Sequence, residues 1–325
     1  MKKLGLFYKM KLKKPKFWDL KKPNLLSYLL LPFTILILIN NFLLSFSNKQ
    51  KHDKIKSICV GNIYIGGTGK TPFTIKLYQI IKSLGFRVYV GKKFYETHKD
   101  EQIILDKKTN LISGESRAKI IEKTIEKKAE IVIFDDGLQD KKIDYDFKIV
   151  CFDAQNWRGN GALIPSGPLR EKISSLRKYD AIILKHINES FNNDGIVNEI
   201  KRYNSDIKIF YSEYIPKNLQ KFDLSKKYLI FSGIGNPNSF KELLIKHNFD
   251  ILEEIFFPDH YDYSQKELDK MVNKAKKLGA EIITTEKDFS KISNLNIKNL
   301  NFLEIDLLIK DEKEFISFLK RKIYG

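Results

Sequence analysis

Gly66-Gly67-Thr68-Gly69-Lys70-Thr71 lies between a mostly apolar run, Ile55 to Val60, and a helix-like stretch opened by Pro72. Residues of those types in that order suit a grip on phosphate. The glycines let the backbone curl so that successive N–H groups point at phosphate oxygens, while Lys70 reaches the outer phosphates and the Thr71 hydroxyl can hold Mg²⁺. A helix starting near Thr71 adds its positive end to the same anion, and Pro72 is tolerated there because first-turn N–H groups have no intrahelical partner. The strict pattern G-x-x-x-x-G-K-[ST] fails at its first position, where Tyr64 stands. The expected nucleotide contacts are Tyr64, Ile65, Gly66, Gly67, Thr68, Gly69, Lys70 and Thr71; an ordinary Gly-rich turn with no ligand is the alternative.

Two further stretches could join this chemistry. Glu130 to Phe134 runs into Asp135-Asp136-Gly137-Leu138-Gln139, a strand ending in paired carboxylates. In a phosphate-loop protein that is the place for the acid that holds Mg²⁺, so Thr71, Asp135 and Asp136 are the expected metal set. Neighbouring strand residues face opposite ways, which divides the work between the two acids. Asn160 to Glu171 carries too many Gly and Pro residues for a helix or central strand and ends in Arg170, whose planar fork grips phosphate as Lys does not. Arg158, Arg170 and Arg177 fall close together in a chain with 51 Lys and 7 Arg; structural salt bridges are the competing use.

Short β-branched runs alternating with longer helical patterns must position these groups. Strands are expected at 87–90, 130–134, 147–152, 181–184 and 207–211, with helices at 72–84 and 115–128. That alternation means βαβ units and a mostly parallel sheet covered on both faces, with ligands at the carboxyl ends of its strands. A second block, with strands at 228–232 and 281–285 and helices at 239–247, 264–278 and 311–322, reads as a smaller α/β domain. The polar stretch Pro216 to Lys227 marks the boundary. The expected divisions are 1–50, a basic tail and anchor; 51–225, a phosphate-loop core; and 226–325, the smaller domain.

The chain has 325 residues, a net charge of +18 and a hydrophobic fraction of 42%. The Lys excess tracks a general bias of composition, but nine lysines and one acid in residues 1–22 form a local cluster that attracts anionic lipid head groups, each worth about 1 kcal/mol. Pro23 to Asn48 is uncharged and strongly apolar, long enough to cross a bilayer at about 20 residues. Pro32, Asn40 and Asn41 interrupt it and both flanks are basic, so a spanning helix and a monotopic anchor stay open. Nothing resembles an RNA-binding aromatic motif or zinc spacing, which disfavours nucleic acid. Cys59 and Cys151 each sit in an apolar run and read as small buried residues rather than a disulfide or metal cluster.

Six ordered stretches together resemble the tetraacyldisaccharide 4′-kinase family of lipid A biosynthesis: Gly66 to Pro72, Asp135 to Gln139, Asn160 to Glu171, Gly233-Ile234-Gly235-Asn236-Pro237, Phe257-Pro258-Asp259-His260 and Thr284-Thr285-Glu286-Lys287-Asp288. The similarity covers nearly the whole chain, including Phe17-Trp18 and Lys22 to Ser27 before the apolar segment. It implies an α/β, P-loop NTPase-like fold with a second, smaller α/β domain and an N-terminal membrane-anchoring helix. It implies ATP and Mg²⁺ as cofactors, an acylated disaccharide 1-phosphate as acceptor, and a place at the inner membrane with the catalytic domains on the cytoplasmic side. Asp100, within Lys99-Asp100-Glu101-Gln102, would be the base for the sugar hydroxyl, with His260 as its partner from the second domain and Lys70 as the third catalytic group. Arg117, Gln139, Arg170 and Glu171 would touch the substrate.

This chain departs from the family's pattern: the run to Asp100 is shortened, and Lys99-Asp100-Glu101-Gln102 stands for a Gly-Asp-Glu-Pro segment. Gly91-Lys92-Lys93-Phe94-Tyr95 replaces a Ser-Arg-Gly-Tyr-Gly type segment, and Asp140 stands where a histidine is usual. By its residues alone, Asp100 reads as an exposed loop acid and His260 as a structural histidine. Two other functions share the loop: a small-molecule synthetase or ATPase on the same scaffold, and a nucleotide-gated membrane-binding module that performs no transfer.

Overall fold

Asn24 starts the first α-helix among the described residues, its side-chain oxygen accepting from the Ser27 N–H at 3.0 Å. α1 (Leu25–Leu30) passes through a 3₁₀ turn containing Pro32 into α2 (Thr34–Ser45), the tight turn accommodating a proline that would break a regular helix. Together Leu25–Leu43 form a helix of mean hydropathy 1.9, mostly exposed, and long and apolar enough to cross a membrane. The computed structural model describes residues 14–46, 49–94, 99–186, 193–292, 295 and 300–325. The basic tail through residue 13 and Tyr95 lie outside them.

Two compact units follow from the contacts of the chain. The larger gathers Pro15–Glu96, Leu105–Glu213 and Leu307–Gly325. Its elements, after α1 and α2, begin with β1 (Lys56–Gly61), α3 (Lys70–Ser83) and β2 (Val88–Lys93). Next come α4 (Lys99–Lys108), whose first residues belong to the smaller unit, β3 (Leu111–Gly114), α5 (Arg117–Glu126), β4 (Ile131–Asp135) and β5 (Phe147–Asp153). β6 (Ala181–Lys185), α6 (Asp194–Tyr203) and β7 (Lys208–Pro216) complete the run.

The smaller unit is built on β8 (Lys227–Ser232), α7 (Pro237–Lys246), β9 (Asp250–Phe256), α8 (Gln265–Lys277), β10 (Ala280–Thr285), α9 (Glu286–Ile292) and β11 (Leu300–Leu303), after which β12 (Ile305–Ile309) and α10 (Glu312–Tyr324) return to the larger one. The larger sheet has the order β12-β7-β6-β5-β1-β4-β2-β3, and its pairs from β3 through β7 are parallel. β1 lies between β4 and β5, so the chain ends of three buried strands, Gly61, Asp135 and Asp153, meet at one edge. Side chains alternate along β5: Val150 and Phe152 enter the cluster with Ile120 and Ile121 of α5, while Phe147 packs its ring against Phe318 of α10.

The smaller sheet, β11-β10-β8-β9, is parallel throughout. β8 serves both of its faces: Tyr228 and Ile230 pack with Phe240 and Leu244 of α7, and Leu229 and Phe231 with Leu268 and Met271 of α8. Helix α8 opens with a reciprocal cap between Ser264 and Glu267.

Two expectations are corrected. The division 226–325 gives way at its end, because β12 and α10 pack in the larger unit, where Phe315 meets Phe73 and Phe210. Asp100 is no exposed loop acid: it sits in the first turn of α4, 3% exposed.

Candidate active site

The phosphate loop is a turn between β1 and α3 that only glycine can make comfortably at two points. Gly66 and Gly69 have φ of 142° and 85°, and Gly69 caps α3, so the helix starts at Lys70 and its first N–H groups are left without intrahelical partners. Asn62 braces the turn from within, donating to Thr68 Oγ1 at 3.0 Å. The start of the loop is used differently from the expectation. Ile65 N–H donates to the Pro168 carbonyl at 2.8 Å, and Tyr64 is buried with Leu163 and Leu169, its hydroxyl donating to Asp19 at 2.6 Å. Burial, then the bond to Asp19, raise the Tyr64 pKa, so the phenol stays protonated as a donor. Tyr64 and Ile65 thus spend these groups on the N-terminal segment and the 160–170 loop.

The two acids at the end of β4 diverge as their strand positions require. Asp135 is buried and accepts from Thr71 Oγ1 at 3.1 Å, Thr74 Oγ1 at 3.2 Å and Lys92 Nζ at 2.6 Å. Asp136 is held at φ 59°, a left-handed backbone that a non-glycine residue keeps only when its surroundings enforce it. Its N–H donates to Val60 O at 2.9 Å, and its carboxylate lies 3.7 Å from Lys70 Nζ and 3.1 Å from Arg170 Nη1. Arg170 Nη1 also donates to Gln139 Oε1 at 3.1 Å; Gln139 Nε2 donates to Asn62 O at 2.9 Å and to Glu171 Oε1 at 3.2 Å. Lys70, Asp136, Arg170, Gln139 and Glu171 therefore form one connected polar chain.

Arg117 is placed elsewhere in this scheme. It is buried, its Nη1 donating to Asp140 at 2.8 Å and its Nη2 to the Asp136 carbonyl, so it struts the turn that follows β4. Asp140 is thereby the counter-charge of Arg117. Arg158 and Arg177 take the structural uses, with Glu199 at 2.8 Å and the Tyr203 carbonyl at 3.3 Å. Cys59 and Cys151 are buried free thiols, and burial pushes the Cys59 pKa up to about 12.

Asp100 and His260 meet within the smaller unit. His260 Nδ1 lies 2.9 and 3.0 Å from the two Asp100 oxygens. His260 has φ 55° and its N–H donates to Gly233 O at 3.1 Å, which ties the Phe257 to His260 turn to the end of β8. Lys287 stands beside the pair, its Nζ 3.0 Å from Asp259, 3.4 Å from His260 Nε2, 3.5 Å from Glu101 and 3.7 Å from Asp100. Lys291 is 3.7 Å from Asp100 and 2.8 Å from Asp288. Burial acts to raise the Asp100 pKa, but the His260 hydrogen bond and the two lysine charges outweigh it and hold the carboxyl at about 2.

The family model described as tetraacyldisaccharide-1-P 4′-kinase matches residues 24–324. The tetraacyldisaccharide 4′-kinase of Pelagibacter ubique is 46% identical over 312 residues, covering 95% of this chain and 98% of that one. The chain belongs to the tetraacyldisaccharide 4′-kinase family. The enzyme of that name from Rickettsia akari is 33% identical, covering 97% of this chain and 98% of its own. The apo form of LpxK from Aquifex aeolicus, a structure in complex with ATP, superimposes with a TM-score of 0.67 at 24% identity, over 92% of this chain and all of that one, and shares the P-loop fold.

Within this tetraacyldisaccharide 4′-kinase family member, Lys92 and Asn62 beside the phosphate loop, and Lys287 and Lys291 beside Asp100, are residues that the sequence pattern alone does not single out. Lys92 was legible only as a departure from the family pattern, and its place at the end of β2, one strand from Asp135, is a product of strand order. Lys287 carried a signal, since it stands inside a family motif.

Proposed function

We propose that this protein is a kinase of lipid A biosynthesis that transfers the γ-phosphoryl group of ATP to the 4′-hydroxyl of a tetraacyldisaccharide 1-phosphate. Membership of the family supports the reaction, and the exposed apolar helix Leu25–Leu43 supports an acceptor and enzyme held at the inner membrane, the catalytic units on its cytoplasmic side. The observation that carries the reading over a module that merely binds nucleotide is the Asp100–His260 contact. A buried carboxylate and an imidazole 160 positions apart are brought within 2.9 Å, an arrangement suited to moving a proton, which a nucleotide-gated clamp does not require.

Mg²⁺ fits the donor set at the head of α3. Thr71 Oγ1 and Asp135 Oδ2 are hard oxygens 3.1 Å apart, and no group of three or more His, Cys, Asp or Glu gathers among the described residues. That suits an ion held by one or two carboxylates together with phosphates and water. Held there by Thr71 and Asp135, Mg²⁺ would neutralise charge developing on the phosphates during transfer. Lys70 and the first-turn N–H groups of α3 hold the outer phosphates, with Asp136 setting the Lys70 ammonium. Arg170, kept in place by Asp136 and Gln139, supplies a forked cation for the transferring group or the acceptor. Asp100, oriented by His260, accepts the hydroxyl proton. Catalysis is then positioning and electrostatics rather than covalent chemistry.

The test is incubation of the purified full chain with ATP, Mg²⁺ and tetraacyldisaccharide 1-phosphate, with Lys70→Ala and Asp100→Ala alongside. Both variants are expected to lose phosphorylated lipid product while remaining folded. A folded, ATP-binding wild type that makes no product would remove the kinase assignment. Loss in Lys70→Ala alone would remove Asp100 from the mechanism.

A further inference from the structure

Helix α9 presents two lysines one turn apart to Asp100, and they are held in different ways. Asp288, buried, accepts from Gly233 N–H and Tyr263 Oη, both at 2.9 Å, and from Thr285 Oγ1 at 2.8 Å, so it fastens the head of α9 to the end of β8. Lys291 belongs to that fastening: it pairs with Asp288 at 2.8 Å and donates to the Tyr261 carbonyl at 3.2 Å. Lys287 takes no part in it. Its ammonium is set by Asp259 and Glu101 and reaches His260 Nε2 at 3.4 Å.

We propose that Lys287 is a positioning residue for the Asp100–His260 pair, fixing the imidazole as its Nδ1–H tautomer so that the single ring proton is given to the Asp100 carboxylate. The reasoning is geometric. An ammonium has three donors and no acceptor, so the ring nitrogen facing it must offer a lone pair. That nitrogen is Nε2, and the proton of a neutral imidazole then resides on Nδ1, which lies 2.9 Å from Asp100 Oδ2. A ring of the opposite tautomer would turn two donors against each other at Nε2 and two acceptors at Nδ1. Lys287 also lies 3.7 Å from Asp100 itself, and its charge, with that of Lys291, is among the causes that hold the carboxyl ionised. Among the described residues, Asp100 and Glu101 from α4, Asp259 from its own turn and Lys287 from α9 lie within 3.8 Å of the ring nitrogens.

This rests on Asp100 being the base, and the test separates the two ideas. In the full-length protein in detergent micelles, ¹⁵N imidazole spectra assign His260 among the five histidines by comparison with His260→Gln. At neutral ring charge, wild type is expected to show a proton on Nδ1 and a lone pair on Nε2. Lys287→Met is expected to populate the Nε2–H form and to lower kcat roughly 10- to 100-fold with KM for ATP changed less than about twofold. Lys287→Arg, which keeps donors and charge and offers no acceptor, is expected to retain the Nδ1–H spectrum. Lys291→Met is expected to lower the unfolding midpoint while leaving the tautomer alone. An Nε2–H imidazole in wild type, or a Lys287→Met spectrum and kcat like wild type, would overturn the proposal. Full activity of Asp100→Ala would instead remove the base, while the spectra still decide the tautomer.

Discussion

Lys92 and Asp135 are both buried, and their 2.6 Å contact places a cation where a nucleotide-bound metal ion would bring another. Lys92→Met keeps the length of the side chain but leaves the Asp135 carboxylate with hydroxyl donors and without this cation. Breaking one side of such a pair costs about 3 kcal/mol, to be read as a lowered midpoint of urea unfolding. Because a divalent cation would restore charge at Asp135, Mg²⁺ with ATP is expected to stabilise Lys92→Met more than it stabilises the parent; equal stabilisation would separate Asp135 from the metal. Asp100 gives a second residue-scale expectation. Its folded pKa of about 2 lies below the ordinary 3.8, so the cluster contributes stability above pH 4 that disappears as the pH falls from about 4 toward 2. The shift corresponds to about 2 kcal/mol, and Asp100→Asn is expected to flatten the stability profile within that window. That carboxylate was not readable as a buried group, because Lys99-Asp100-Glu101 is as polar as any surface stretch and its partners lie 160 and 187 positions away.

The N-terminal helix is docked at its beginning and again at Leu38, which packs on Leu163 and Leu169, and Asn41, whose Nδ2 donates to the Arg170 carbonyl at 3.4 Å. Trp18 Nε1 donates to the Pro165 carbonyl at 3.0 Å, Asn160 Nδ2 to Ser27 Oγ at 3.0 Å, and Ser166 Oγ to the Ser27 carbonyl. The Gly- and Pro-rich 160–170 loop is thus the receptacle for the apolar segment as well as the carrier of Arg170. Gly167 is required there for space, since a Cβ would stand 2.1 Å from Asn160 Oδ1 and 2.5 Å from the Ala162 carbonyl. Gly167→Ala is expected to displace Asn160 from Ser27, to speed proteolytic cleavage before Leu25, and to weaken membrane retention in a carbonate wash; unchanged cleavage and retention would show that the loop does not hold the helix. Apolar strand runs closed by Gly or Asp, such as β4 and β8, were legible, and so were α3 and α8. β9, read as Asp-Ile-Leu-Glu-Glu-Ile-Phe, was hidden by charges that a half-exposed edge strand accepts, and α4 by its lack of an apolar stripe.

At the scale of the molecule, the phosphate loop depends on the far end of the chain. Residues from Leu307 onward belong to the larger unit, although some 90 residues of the smaller one intervene after Glu213. Phe315 of α10 is fully buried, with its ring edge-on to Phe73 at 5.9 Å and to Phe210 at 5.0 Å. Phe73 lies in the first turn of α3, and its N–H makes the helical bond to Gly69 O at 3.0 Å. Packing on Phe73 therefore fixes the helix whose first N–H groups are proposed to hold the phosphates. Phe315→Ala removes a buried aromatic ring and is expected to cost about 3–5 kcal/mol of unfolding free energy. Its effect on nucleotide affinity should exceed that of Phe240→Ala, a comparable truncation in the core of the smaller unit. Binding of a fluorescent ATP analogue to the two folded variants decides this: equal affinities would show that α3 keeps its position without α10.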